Sequence, residues 1–326
     1  MDIMNKTSLN GSGVETLLHQ MNNTLVQFNE TVAFQKLKPP FSYLLVVGTL
    51  SIFGIIGNIL TLIVLWKRKQ WTSVNVLIGL MSLSDLCALL VLSSIFLQVS
   101  IFNRFYDQTV YFQDAFISSS NLCAVIIGSE RAFAVRRPLK FRDIWSLKIT
   151  LKLYTSGYLI SIGFILMRCL ISELISYSFF QNHVYLIYFI ALRGFPFIII
   201  LVTNCLMIHG VVENSRRMLK MIDHNIDKNR IRKETVITKT VIALTTIYFV
   251  CMIPHRIAVG LKHAGIIIED REIVYYVQNT VEIFNFSINI VIYTTSSKLF
   301  RTEYKNLICS ALNPCRRSAG PISQEI

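Results

Sequence analysis

The sequence predicts an all-α membrane protein: a seven-transmembrane helix bundle with a short amphipathic surface helix after the seventh span. Three observations predict it. Of 326 residues, 53% are hydrophobic and only 16% are charged, too apolar a mixture for a soluble globular domain. The apolar residues gather in seven long runs, near 42–66, 74–98, 108–135, 147–171, 184–212, 236–262 and 272–296. Each run meets the roughly 20 residues that a bilayer crossing needs. The basic residues keep to one side of those runs. Residues 67–73, 131–152, 213–239 and everything after 297 fall on the same side and hold 23 of the 32 lysines and arginines. Cytoplasmic loops carry such an excess.

The formal charge of +13 points to nucleic acid or to an anionic surface. With this hydropathy the surface is the bilayer, and no nucleic-acid partner is expected. Enzyme chemistry finds no support either: the sequence offers no nucleophile–base constellation, phosphate loop or metal-ligand spacing. His209 and Cys205 stand four residues apart on one helix face, but two ligands do not make a site.

Three segments follow in order: a tail at 1–41, the bundle at 42–297, and the amphipathic helix with its cytoplasmic tail at 298–326. The first is polar and carries four acceptor patterns for N-glycosylation, at Asn5, Asn10, Asn22 and Asn29, which suits an extracellular tail. It has no early apolar stretch of the signal-peptide kind, so the first span must itself direct insertion. Pro39 and Pro40 precede that span, and Lys67, Arg68 and Lys69 follow it. This charge bias places the amino terminus outside and, after seven crossings, the carboxyl terminus inside. The expected location is the plasma membrane. Trp71 and Trp145 fit the inner interfacial belt.

The third run ends in Glu130 and Arg131, with Arg136, Arg137 and Pro138 next. An arginine there either snorkels to the interface or pairs with a carboxylate. Residues 213–235 read as cytoplasmic helix extensions with a mobile middle. In 298–308 the apolar positions 299, 300, 304, 307 and 308 describe a helix lying on the membrane. Of seven cysteines, Cys87, Cys123, Cys205 and Cys251 lie in apolar runs and Cys169 ends one. No disulfide between outer loops is expected. Cys309 and Cys315 flank the end of the surface helix, where palmitoylation and free thiols are both open readings.

The markers Gly57-Asn58, Leu83-Ser-Asp85-Leu86, Glu130-Arg131-Ala132, Pro196, Cys251-Met252-Ile253-Pro254 and Asn289-Ile-Val-Ile-Tyr293 occur in that order. This set resembles the rhodopsin-like (class A) G-protein-coupled receptors over residues 42–308, as a divergent member of peptide-receptor or invertebrate chemosensory type. The departures are several. No cysteine stands at the third span's outer end, around Tyr106, or in 172–183. Gly157 lies near the place of the fourth span's tryptophan. Met252, Asn204 and Ile290 replace the family's sixth-span tryptophan, fifth-span tyrosine and seventh-span proline.

The resemblance implies a cell-surface receptor for a polar extracellular ligand, a peptide favoured over a small molecule, that activates a heterotrimeric G protein. Its ligand site falls on Gln113, Asp114, Arg193, His255, Arg256, Gln278 and Glu282. Ionisable groups at that depth must pair with one another or with a ligand. Gln113 stands where amine receptors place an aspartate, which argues against a monoamine. Ile283 stands at the retinal-lysine position, which argues against an opsin. The G-protein switch falls on Glu130, Arg131, Leu139, Glu234 and Tyr293, with Glu234 facing Arg131 across the bundle. Asn58 and Asn289 are expected to hydrogen-bond Asp85, and Asp85, Ser120, Asn285 and Asn289 match the family's sodium pocket. Beyond a structural sodium ion no cofactor is expected, and a water-filled hydrogen-bond network is the competing reading. Two other functions compete. Buried charges could line the path of a transporter or channel, although the sequence shows no internal repeat. The departures at Met252 and Asn204 also allow a signalling-silent scaffold.

Overall fold

The computed structural model describes residues 40–69, 71–96, 106–174, 178–220, 225–263, 271–296 and 298–312, and it is helical throughout its elements. The first span is Phe41–Arg68, the second Ser73–Phe96 and the third Tyr106–Arg136. A linker helix, Pro138–Ile144, leads to the fourth span, Leu147–Leu174. The fifth is built of Ser178–Phe189, a π-helical turn Ile190–Gly194, and Phe195–Lys220. The sixth is Asn225–His263. The seventh is Arg271–Ser287 followed by Asn289–Ser296, and the terminal helix is Lys298–Leu312.

Local chemistry sets these boundaries. Pro40 holds an extended backbone before the first span, whose last turn carries Lys67 and Arg68 at the negative end of the helix dipole. Lys69 then stops it in the left-handed region at φ 49°. The Thr72 hydroxyl accepts from the backbone N–H of Asn75 at 3.3 Å, and the Ser146 hydroxyl from that of Ile149 at 3.4 Å. Both are N-caps, for the second and fourth spans. Pro138 starts the linker helix at a position that needs no N–H donor.

Among the described residues, six helices are long and apolar enough to cross a membrane. The seventh, expected as one run over 272–296, is interrupted at Ile288. Two further differences extend the sequence reading. The loop after the third span contains the linker helix, and the predicted cytoplasmic extensions reach Lys220 on one side and begin at Asn225 on the other. Residues 221–224, within the 213–235 segment, lie outside the described residues, as do Asn5, Asn10, Asn22, Asn29 and Cys315.

The third span is the hub, packed on the second, fourth, fifth and sixth. Apolar burial gives little drive between helices in lipid, so close approach and polar links matter. Gly54 and Gly57 allow the first and seventh spans to touch. A Cβ on Gly54 would collide with the Ser287 side chain, and one on Gly57 would lie 2.8 Å from Ile290. The largest buried apolar cluster, with Leu77, Ile127, Met207, Leu244 and Tyr293, fills the Arg131 end of the bundle. There Tyr293 stacks on Phe300 of the terminal helix at 5.2 Å. Tyr304 meets the Thr61 hydroxyl at 2.8 Å. Thr61 gives its own proton to the Gly57 carbonyl, which leaves its lone pairs for Tyr304. Burial pushes the Tyr304 hydroxyl up to about 12, so it stays a donor at neutral pH.

Candidate functional site

At the end of the bundle opposite Arg131, four ionised side chains from four spans form one chain of contacts. Asp114 of the third span is buried, with each carboxylate oxygen committed. Arg193 donates to Oδ1 at 2.6 Å and Arg168 to Oδ2 at 2.7 Å. The other branch of Arg193 lies 3.5 Å from Glu282 of the seventh span. Short N–H···O contacts between ions are the strong kind, so Asp114 is the anchor and the Glu282 link is the loose one.

Backbone geometry aims Arg193. Pro196 has no N–H to continue the helical ladder. Just before it the fifth span widens into a π turn, in which the Phe195 N–H reaches back to the Ile190 carbonyl. Such turns rotate the residues within them and recur at functional sites. Here the turn buries Leu192 and Arg193 in the bundle. Arg168, in turn, sits among aromatic rings. Its guanidinium carbon lies 4.9 Å from the Tyr188 ring, 5.2 Å from Tyr185 and 5.3 Å from Tyr111, all within cation–π range. The Tyr111 hydroxyl is tied to Ser172 at 2.7 Å.

Of the seven residues expected at this site, Asp114, Arg193 and Glu282 are brought together, and Gln113 and Gln278 are half-buried on the same two spans as Asp114 and Glu282. His255 and Arg256 belong to the sixth helix, but their side chains lie outside the described residues. Internal ion pairing, the alternative raised from the sequence, is present. Arg168 is the residue that sequence reasoning missed. The rule that found Arg193, an arginine inside an apolar run, applies equally to it.

Midway along the bundle, Asp85 is buried and accepts from Ser120 at 2.5 Å and from the Asn289 amide at 2.7 Å. Asn285, buried, lies four residues before Asn289. The expectation for Asn58 is corrected. Its amide donates instead to the Gly54 and Phe286 carbonyls, at 2.9 and 3.0 Å, because the close approach at Gly54 brings the seventh span's backbone within reach.

At the basic end, Arg131 donates to Glu130 at 2.9 Å, with both side chains nearly buried. Its guanidinium carbon lies 6.0 Å from the ring of Phe141 on the linker helix. Leu139 lies on that same helix and Glu234 on the sixth, but their side chains lie outside the described residues. The contact between Arg131 and Glu234 is therefore not described. Tyr293 is buried, and its hydroxyl meets no hydrogen-bond partner among the described residues. Nearby, the hydroxyl of Thr245 on the sixth span lies 2.5 Å from Oδ1 of Asn204 on the fifth. Thr245 also lies 2.7 Å from the Val241 carbonyl. Cys309 is exposed on the terminal helix.

A helical membrane bundle with a buried carboxylate at its middle and a charged cluster at one end has the form of a multi-pass receptor. The family model "7 transmembrane receptor (rhodopsin family)" matches residues 57–293. The chain belongs to that family, and its broad role is that of a G-protein-coupled receptor. The comparison with curated proteins gives no match.

Proposed function

We propose that the chain is a cell-surface receptor in which a polar extracellular ligand, a peptide favoured, acts at the Asp114 end and a heterotrimeric G protein is activated at the Arg131 end. The observation that carries this reading is the four-span ionic chain Arg168–Asp114–Arg193–Glu282. Charges so placed are costly in a bilayer, and a ligand that re-pairs them shifts four helices at once. The amino terminus is outside and the carboxyl terminus inside, in keeping with the basic segments, and the membrane is the plasma membrane. Gln113, His255, Arg256 and Gln278 complete the ligand site.

The switch comprises Glu130, Arg131, Glu234 and Tyr293. Release of Arg131 lets the sixth span move outward, and Leu139 then meets the G protein. At mid-bundle, Asp85, Ser120, Asn285 and Asn289 supply the oxygen chemistry of a sodium site. Each Asp85 oxygen accepts one protein donor, which leaves lone pairs on the carboxylate for an ion. A screen of peptide and small-molecule libraries against G-protein activation tests the whole reading. A hit should lose its effect in Arg131→Ala at unchanged surface expression. Ion currents or uptake without G-protein activation would favour the transporter reading.

A further inference from the structure

The charged cluster also specifies the charge of its ligand, provided that it is the ligand site proposed above. Arg168, Asp114, Arg193 and Glu282 together carry two positive and two negative charges. A singly charged group that enters such a buried cluster without a departure leaves an uncompensated charge, which buried sites tolerate poorly. Entry is easiest as an exchange of like for like.

The candidate for departure is Arg168. Its side chain is 23% exposed, whereas that of Arg193 is 8% exposed. It stands six residues before the end of the fourth span at Leu174, about 9 Å along the helix axis. A long arginine stem can turn its charged head out of the cage toward water while the stem stays on apolar surface. Arg193 is less exposed and is held between Asp114 and Glu282. The place Arg168 vacates is already shaped for a cation. Three tyrosine rings stand 4.9 to 5.3 Å from its guanidinium carbon, and Asp114 Oδ2 lies at 2.7 Å. Aromatic rings around a carboxylate attract ammonium and guanidinium groups and repel anions. The competing exchange, a ligand anion for Glu282, would meet Arg193 across 3.5 Å, a longer contact than the 2.7 Å between Arg168 and Asp114.

We infer that Arg168 is a built-in surrogate for the ligand: a cationic ligand group, guanidinium or ammonium, displaces it from the Tyr111–Tyr185–Tyr188 cage and takes its place on Asp114. A peptide with an arginine or lysine side chain fits this chemistry. In the resting state the protein's own cation occupies the cage, so ligand affinity is reduced by the fraction of time that Arg168 is away.

The test uses the detergent-solubilised full chain and two probes, agmatine as a cation and glutarate as an anion. Binding is read from the rise in melting temperature with probe concentration. Agmatine should stabilise the native chain at high concentration. It should bind Arg168→Gln at least about tenfold more tightly, because the competitor is gone. Asp114→Asn should abolish the gain, and glutarate should stabilise neither form. If Arg168→Gln does not fold, Arg168→Lys replaces it. Lysine keeps the charge but loses the forked hold on Asp114, so agmatine should again bind more tightly than to the native chain, by a smaller factor. Equal agmatine affinity in the native and Arg168 variants, or stabilisation by glutarate alone, overturns the proposal. The readout needs no G protein. Cation exchange can therefore stand while the receptor reading fails, or fail while ligand screening upholds the receptor.

Discussion

Replacing Asp114 by asparagine removes the carboxylate that Arg168 and Arg193 share while keeping its shape. Arg193, with a side chain 8% exposed, is left with Glu282 at 3.5 Å. Arg168 keeps its three tyrosine faces and partial exposure, so most of the penalty falls on Arg193. Neutral cross-helix hydrogen bonds in membrane bundles are worth only about 0.6 kcal/mol on average. Stranding one member of a buried ion pair costs about 3–5 kcal/mol. The asparagine amide still accepts one hydrogen bond, so the low end applies, about 3 kcal/mol. Scaled by the usual unfolding entropy per residue to a chain of 326 residues, that lowers the melting temperature by about 4–5 °C. A thiol-reactive dye reads the transition, because Cys123 and Cys251 are buried and react only on unfolding, above a baseline from the exposed Cys205 and Cys309. Arg193→Gln in the same background should cost far less than it does alone, since the two residues are coupled. A melting temperature of Asp114→Asn within about 2 °C of the native value would show that the cluster carries no net stability and that the charge argument is wrong.

Other predictions probe the remaining elements. Gly54→Val should lower stability by about 1–3 kcal/mol through overpacking against Ser287 and Leu89, seen as reduced yield and melting temperature; a neutral result would mean that the first and seventh spans are not in contact. Asn204→Leu and Thr245→Val each remove a buried link between the fifth and sixth spans and should raise ligand-free signalling, with no rise counting against that link as a restraint. Glu234→Ala should raise basal signalling about fivefold, for a pair worth about 1 kcal/mol at the wet membrane edge, whereas unchanged basal signalling in a coupling receptor would rule out the proposed lock. Asp85→Asn should remove any dependence of melting temperature on sodium, and a native chain insensitive to sodium over potassium favours the hydrogen-bond network alone.

The bundle was legible because bilayer chemistry writes strong signals: long apolar runs, and basic residues crowded beside alternate ends of them. The surface helix was legible for a similar reason, with Phe300 and Tyr304 on its buried face. The break at Ile288 and the π turn at Ile190–Gly194 were not. Both are backbone adjustments to neighbouring packing, and only Pro196 hints at the second. In the site, Asp114, Arg193 and Glu282 could be grouped because ionisable residues in apolar runs attract notice. Which of them pair could not be read, since that depends on the rotation of each helix. Arg168 escaped because its partners, three tyrosines and an aspartate, come from two other spans. Asn58 was assigned to Asp85 on polarity alone, while its real partners are backbone carbonyls, which carry no sequence identity.

The central claim is that a ligand at the Asp114 end drives nucleotide exchange at the Arg131 end. The most direct measurement is guanine-nucleotide exchange on purified heterotrimeric G proteins by the full chain in lipid nanodiscs, with and without a ligand identified by screening. The account predicts that ligand accelerates exchange in the native chain, that Asp114→Asn weakens the ligand response, and that Arg131→Ala abolishes exchange while ligand still raises the melting temperature. Ligand binding that leaves exchange on every G protein tested at the background rate of empty nanodiscs would contradict it.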